Sequence, residues 1–288
     1  MLSRLARGAE AVARRAVELV PTPQPPILPT RHPVVLLHGF GALANLMQGG
    51  VLHREAMFLR EHGIWAYAPH ANPYDTIQAR CDTWAGHLER AMEETGAEKL
   101  NLIGFSSGGL DARWLAREMG WADRVASLVT VSTPHRGTAL AEFVLERPER
   151  LRSWAVGAMD FLGRAAYELV PPATEDALAE LTRASVRERF PLDETIPNAW
   201  CASFTGRAGK GTETAITPTL ALPNRILYAA EGVNDGIVPT AGGVWAEHLG
   251  TLEADHARQI GLKMLTGGTY DSREFFLSIC HQLRERGL

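Results

Sequence analysis

Apolar positions along the chain recur with two periods, and stretches of the two kinds alternate. Short runs of aliphatic and β-branched residues, "PVVLLH", "IWAYA", "KLNLIGF", "RVASLVTVS" and "NRILYAA", predict strands. The run "VWAEHLGTL", which holds His248, is also strand-like. Between them, "VLHREAMFLREHG", "TIQARCDTWAGHLERAMEETG", "GGLDARWLAREMG" and "SREFFLSICHQLRERG" place apolar residues at helical spacing, with Gly63 and Gly96 positioned to close the first two. Near-continuous apolar strands alternating with amphipathic helices imply an α/β fold. Its central sheet is mostly parallel and is flanked by helices on both faces.

Two segments stand outside this alternation. In residues 1–30, Leu5, Ala9, Val12, Ala16 and Leu19 or Val20 follow helical spacing, and "PTPQPPILPT" then forms a stiff, extended connector. The helix suits packing on the domain or against a second copy as a homodimer. Its mostly alanine face buries little area, so contact with a lipid interface would be transient or peripheral. Arg4, Arg7, Arg14 and Arg15 interrupt it, leaving no signal-peptide core, and no apolar run is long enough to span a membrane. A cytoplasmic location is the expectation. The main domain is expected over 31–288. Within it, the pattern loosens over about 140–222, where Trp154, Ala158, Phe161, Leu162, Ala165 and Leu169 share one helical face and Pro171 and Pro172 end it. Such an insertion is expected over the carboxyl ends of the strands, where ligands of open α/β sheets bind.

Composition narrows the function classes. The chain has 288 residues, 45% hydrophobic and 22% charged, and can bury a sizeable core. A net charge of −4 and the lack of any nucleic-acid-binding signature argue against nucleic acid as a partner. Cys81, Cys201 and Cys280 are too few and too widely spaced for a disulfide framework or a C-x-x-C metal site, and are expected as packed thiols. No cofactor and no metal are expected.

The chemistry concentrates around "LIGFSSGGLDARWLA". A Gly-x-Ser-x-Gly match means little alone, but here it joins a predicted strand to a predicted helix, as a nucleophile elbow requires. Gly104 and Gly108 keep the turn around Ser106 free of clashes, and the following helix N-terminus favours developing negative charge. A serine hydroxyl needs an adjacent base, and in this architecture an acid and then a histidine follow it in the chain. Asp235 in "GVNDGIVP" is the candidate acid, with Glu231 and Asp255 as rivals. His256 in "EADHARQ" is the candidate base. "HGFG" after the first strand nominates the Phe40 amide as one oxyanion donor, and the residue after the nucleophile nominates the Ser107 amide as the other. His38 and His135 precede the acid and read as residues that brace their loops.

Taken together in their order, "VVLLHGFG", "LIGFSSGGLDARWLA", "VSTPHRGTALAEF", "NDGIVP" and "ADHARQIG" resemble bacterial triacylglycerol lipases of the α/β-hydrolase fold, of the Pseudomonas and Burkholderia type. The resemblance covers about 33–260, loosely over 140–222. It implies Ser106 as nucleophile, Asp235 as acid and His256 as base, with the Phe40 and Ser107 amides as the oxyanion hole. It also implies a lid and acyl-binding surface around Trp154, Phe161, Leu162 and Leu169. One departure is informative: those lipases hold a structural calcium with an aspartate two residues after the catalytic histidine, where this chain has Arg258. No such calcium site is expected, and Arg258 is expected to pair with a carboxylate instead.

The function expected is serine ester hydrolysis, as a lipase or esterase acting on small-molecule or lipid esters with apolar acyl groups. Intracellular thioesterases, polyhydroxyalkanoate-type depolymerases and acyltransferases share this machinery and remain alternatives. A non-catalytic binding protein of the same fold would be expected to have lost part of it.

Overall fold

The computed structural model describes residues 26–41, 50–147, 173–262 and 270–288. In chain order the described elements are β1 (Val34–Leu37), α1 (His53–Glu61), β2 (Ala66–Tyr67), α2 (Ile77–Thr95), β3 (Leu100–Phe105), α3 (Gly108–Glu118) and β4 (Val125–Val131). There follow α4 (Ala139–Leu145), α5 (Thr174–Glu180), α6 (Arg183–Arg189), β5 (Trp200–Gly206), α7 (Ala221–Glu231), β6 (Glu247–Leu252) and α8 (Ser272–Glu285). The strands form one sheet in the order β2-β1-β3-β4-β5-β6, and every pairing is parallel.

The central strands β1, β3 and β4 are mostly apolar and buried because both faces are covered. Val35, Leu37, Leu100, Leu102 and Leu128 point to one side, where Ile77, Cys81, Trp84 and Leu88 of α2 and Leu110 and Leu115 of α3 meet them. Val34, Leu36, Ile103, Phe105, Val129 and Val131 point to the other, against Ala56 and Leu59 of α1 and Phe276, Ile279 and Leu283 of α8. Each such side chain contributes about 1.5–3 kcal/mol by leaving water. The helices end as the sequence implies: Gly96 closes α2 at φ 67°, and Gly63 follows α1 at φ 78°. All three cysteines are free, buried thiols.

One element is corrected. "NRILYAA", expected as a strand, lies in helix α7. A four-residue apolar run is ambiguous between helix and strand, and the flanking alanines favour the helix. The strand that takes its place in the sheet is β5, from within the 140–222 segment. Its alternate positions carry Ser203 and Thr205, which tie it to neighbouring chain: Ser203 Oγ bonds the Trp245 carbonyl at 2.6 Å, and Thr205 Oγ1 meets Thr251 Oγ1 at 2.9 Å. Residues 200–206 of that segment therefore belong to the central sheet. Trp154, Phe161, Leu162 and Leu169, and the expected helix before residue 20, lie outside the described residues.

Candidate active site

The carboxyl ends of β1, β3 and β4 and the loops beyond α7 and β6 converge on Ser106. The turn from β3 into α3 puts Ser106 at φ 55°, a left-handed conformation that costs a non-glycine residue about 1–2 kcal/mol. Packing holds it there. A Cβ on Gly108 would lie 2.3 Å from the Leu37 carbonyl oxygen, and one on Gly104 would lie 2.5 Å from Gly109 Cα. The turn can therefore nest against β1 and α3 only because these positions lack side chains. Ser106 N–H donates to the Val131 carbonyl at 2.9 Å, and Thr133 Oγ1 donates to the Ser106 carbonyl at 2.7 Å.

Asp235 and His256 come from distant parts of the chain and meet Ser106 in line. His256 Nε2 stands 3.0 Å from Ser106 Oγ, and His256 Nδ1 stands 2.8 Å from Asp235 Oδ2. An ionised carboxylate only accepts, so Nδ1 carries the proton and Nε2 is left as the acceptor for the serine hydroxyl. The backbone repeats the link, since His256 N–H donates to the Asp235 carbonyl at 2.9 Å. Phe105 packs its ring over the imidazole with centroids 4.6 Å apart. All three side chains are buried.

Burial alone would push the Asp235 carboxyl up. His256 and the Val238 and Ile237 amides, which donate to Oδ1 at 2.8 and 3.0 Å, outweigh it and hold the group below its ordinary value. The loop bearing it is fixed by Asn234, whose side chain bonds Asn224 and the Gly232 carbonyl and accepts the Gly236 amide. The rival acids are engaged elsewhere. Glu231 accepts the Ala139 amide, and Asp255 accepts the amide and hydroxyl of Thr217 and the Arg258 amide. Arg258 Nε lies 3.6 Å from Asp255 Oδ2, which is the carboxylate pairing expected of it. Among the described residues, no group of three or more His, Cys, Asp or Glu side chains could hold a metal ion.

The "HGFG" loop lies directly against the elbow. A Cβ on Gly39 would come within 2.8 Å of both Ser106 Oγ and the Ser107 nitrogen. The Phe40 amide donates to Ser107 Oγ at 2.9 Å, so its donor is taken by the side chain next to Ser106. His38 braces this loop: Nδ1 bonds the Gly39 carbonyl at 3.1 Å, and Nε2 accepts the Ala71 amide at 3.4 Å. Full burial, with Arg80 nearby, pulls the His38 imidazole down to about 3. His135 likewise bonds Thr130 Oγ1 at 3.0 Å and stacks on Trp245, and burial holds it well below the usual histidine value.

Two supports were missed by sequence reasoning. Arg80 donates to the His38 carbonyl at 2.9 Å and forms a buried ion pair with Asp111, which also accepts Trp84 Nε1 at 2.9 Å. The other is Gln259, which donates to Asp235 Oδ2 at 3.0 Å. Arg80, Trp84 and Leu88 lie one helical turn apart on the buried face of α2, so a charged residue in an apolar stripe was the available signal.

The chain is similar to several known proteins. The α/β-hydrolase family model matches residues 32–158. A triacylglycerol lipase of Pseudarthrobacter phenanthrenivorans is 28% identical over 74% of this chain and 66% of its own length. One from Burkholderia plantarii is 28% identical over 74% and 59%, and one from Vibrio cholerae 27% identical over 83% and 80%. The chain thus spans somewhat under two thirds of the length of the first two. Among solved structures, a Bacillus licheniformis lipase in mature form is similar with a TM-score of 0.61 at 20% identity, covering 90% of this chain and 94% of the other. A metagenomic carboxyl esterase reaches 0.69 at 18% identity, covering 92% and 79%. Among the described residues, no helix is long and apolar enough to cross a membrane. With its parallel sheet and its serine at the strand-to-helix turn, the chain has the α/β-hydrolase fold, and the proteins it is similar to include lipases and esterases.

Proposed function

We propose that the protein is a serine ester hydrolase acting on esters with apolar acyl groups, with Ser106 as nucleophile, His256 as base and Asp235 as acid. The observation that carries this reading is the linear relay from Ser106 Oγ to His256 Nε2 at 3.0 Å and from His256 Nδ1 to Asp235 Oδ2 at 2.8 Å, on a serine held at φ 55°. As Ser106 Oγ attacks the ester carbonyl carbon, His256 Nε2 takes its proton and Asp235 stabilises the imidazolium. The carbonyl oxygen, now negative, is received by the Ser107 amide and by the Phe40 amide, which exchanges its bond to Ser107 Oγ for one to the oxyanion. Such donors are typically worth about 3–4 kcal/mol each in the transition state. The imidazolium then protonates the leaving alcohol. Water, deprotonated by the same nitrogen, releases the acid and restores Ser106.

The names of the relatives support an apolar acyl substrate, as does the apolar stripe in 140–222. We assign residues 31–288 to the catalytic domain. Within 140–222, we assign the part before β5 to the acyl-binding side of the site. The test is a fluorophosphonate label combined with p-nitrophenyl esters of increasing chain length. Labelling at Ser106 and hydrolysis that favours medium or long chains are expected, with Ser106→Ala losing at least about 10⁴-fold in kcat. Full activity of Ser106→Ala would overturn the nucleophile, and a preference for acetate would overturn the apolar acyl group.

A further inference from the structure

Gln259 is fully buried one turn beyond His256, and both hydrogens of its amide are committed. Nε2 donates to Asp235 Oδ2 at 3.0 Å and to the Ala254 carbonyl at 3.1 Å. The reverse orientation would set Oε1 against two acceptors, so chemistry fixes which end faces Asp235. Space is reserved for it as well. A Cβ on Gly206, at the end of β5, would lie 1.9 Å from Gln259 Nε2. The backbone N–H of Gln259 anchors to the Asp255 carbonyl at 3.1 Å, and its side-chain Oε1 has no hydrogen-bond partner among the described residues.

The Asp235 carboxylate thus receives four donors. The Ile237 and Val238 amides fix Oδ1, while His256 Nδ1 and Gln259 Nε2 share Oδ2. The two amides alone leave the carboxylate free to tilt about its Oδ1 side. The Gln259 donor, bound to a rigid carbonyl on its other hydrogen, fixes where Oδ2 stands and hence where the imidazole is held.

Resting on the proposed hydrolase reading, we infer that Gln259 is a positioning residue of the triad: a neutral second donor that holds Asp235 Oδ2 in line with His256. The neutrality matters. Of the titratable groups around Asp235, His256 faces it, while Asp255 and Arg258 on the same turn face each other. A carboxyl in place of the amide could donate only while protonated, and on ionising it would repel Asp235.

Two variants test this. Gln259→Leu removes the donor and is expected to lower kcat about tenfold at pH 6 and pH 9 alike, with KM unchanged. Gln259→Glu is expected to stay within about threefold of the parent at pH 6, where the carboxyl keeps its proton and donates as the amide does. At pH 9 it should fall at least tenfold in kcat, where the parent holds a plateau. A merely structural role would depress Gln259→Glu equally at both pH values. The downfield Nδ1 proton of His256, followed by NMR without any substrate, should persist in the parent and vanish in Gln259→Glu as pH rises. That measurement stands even if ester hydrolysis itself is not found, and within Gln259→Glu it compares the protein with itself should Gln259→Leu not fold. Gln259→Glu tracking the parent from pH 6 to 9, a parallel loss at both pH values, a His256 proton unaffected by pH in that variant, or parental kcat in a folded Gln259→Leu would each overturn the inference.

Discussion

Around Ser106 the chain is held by missing side chains, and around Asp235 and His256 it is held by side chains that are polar and fully buried. On the first side, Gly39, Gly104 and Gly108 each stand where a Cβ would come within 2.5 Å of another residue's heavy atom. Close packing of backbone on backbone sets the geometry there, with the buried Arg80–Asp111 pair standing behind the Gly39 loop. On the second side, Asn224, Asn234, Asp235, Asp255 and Gln259 are each at most 2% exposed, and each is fixed by hydrogen bonds to loops from elsewhere in the chain. The nucleophile side should therefore fail through bulk, losing fold and function together. The acid–base side should fail through a lost or reversed donor, losing function with the fold intact.

The largest effect should come from reversing a donor on the acid–base side. In Asp235→Asn the side-chain oxygen can still accept from Ile237 and Val238, but its NH2 then faces His256 Nδ1 and Gln259 Nε2. The imidazole is driven to the wrong tautomer, and kcat should fall on the order of 10³–10⁴-fold with little change in melting temperature. Ester hydrolysis and thermal unfolding measured on one preparation check both halves of the statement. A large loss of stability would break the contrast between the two sides.

A smaller effect, of the opposite character, is expected at Gly108→Ala. The added methyl meets the Leu37 carbonyl oxygen at 2.3 Å, so α3 must back away from β1. Overpacking of this kind costs about 1–3 kcal/mol. Denaturant unfolding should show that loss, and phosphonate labelling of Ser106 should slow alongside it. Parental stability in this variant would mean that the elbow is not held by close approach.

The smallest effect is a pH dependence of stability arising from the braces. His38 and His135 are held neutral in the fold, His38 down to about 3, while in the unfolded chain both take a proton near pH 6.5. The unfolded state then binds more protons, so stability rises with pH in this window and is lost as pH falls below about 6.5. The slope should be on the order of 1 kcal/mol per pH unit for each histidine. Burial of Glu55 raises its carboxyl and opposes this trend near the low end. Comparing the parent with His38→Gln isolates the histidine contribution. Equal slopes for the two proteins between pH 6.5 and 5 would sink the assignment.

How much of this was legible beforehand depended on the kind of force involved. Close backbone packing leaves glycines at fixed offsets, so "HGFG" and "GFSSGG" could be read directly, as could strands whose two faces are both covered. β5 was missed because Ser203 and Thr205 serve hydrogen bonds to chain that lies far away in sequence. For the same reason α7 was taken for the missing strand. Asp235 and His256 could be nominated by order and motif. Gln259 could not, since nothing local distinguishes a glutamine that donates to a buried carboxylate from one on the surface.

The bond from the Phe40 amide to Ser107 Oγ gives the site an occupant of its own. An arriving ester carbonyl can gain the Phe40 amide only by displacing a hydroxyl of similar acceptor strength, so ground-state binding gains almost nothing from it. Hydrogen bonds to a charged acceptor are roughly twice as strong as those to a neutral one. The exchange becomes favourable only once the carbonyl oxygen has turned negative. On the proposed mechanism, a serine hydroxyl parked on an amide becomes a filter that ignores the substrate and rewards the transition state, which is the differential binding that raises kcat rather than merely lowering KM.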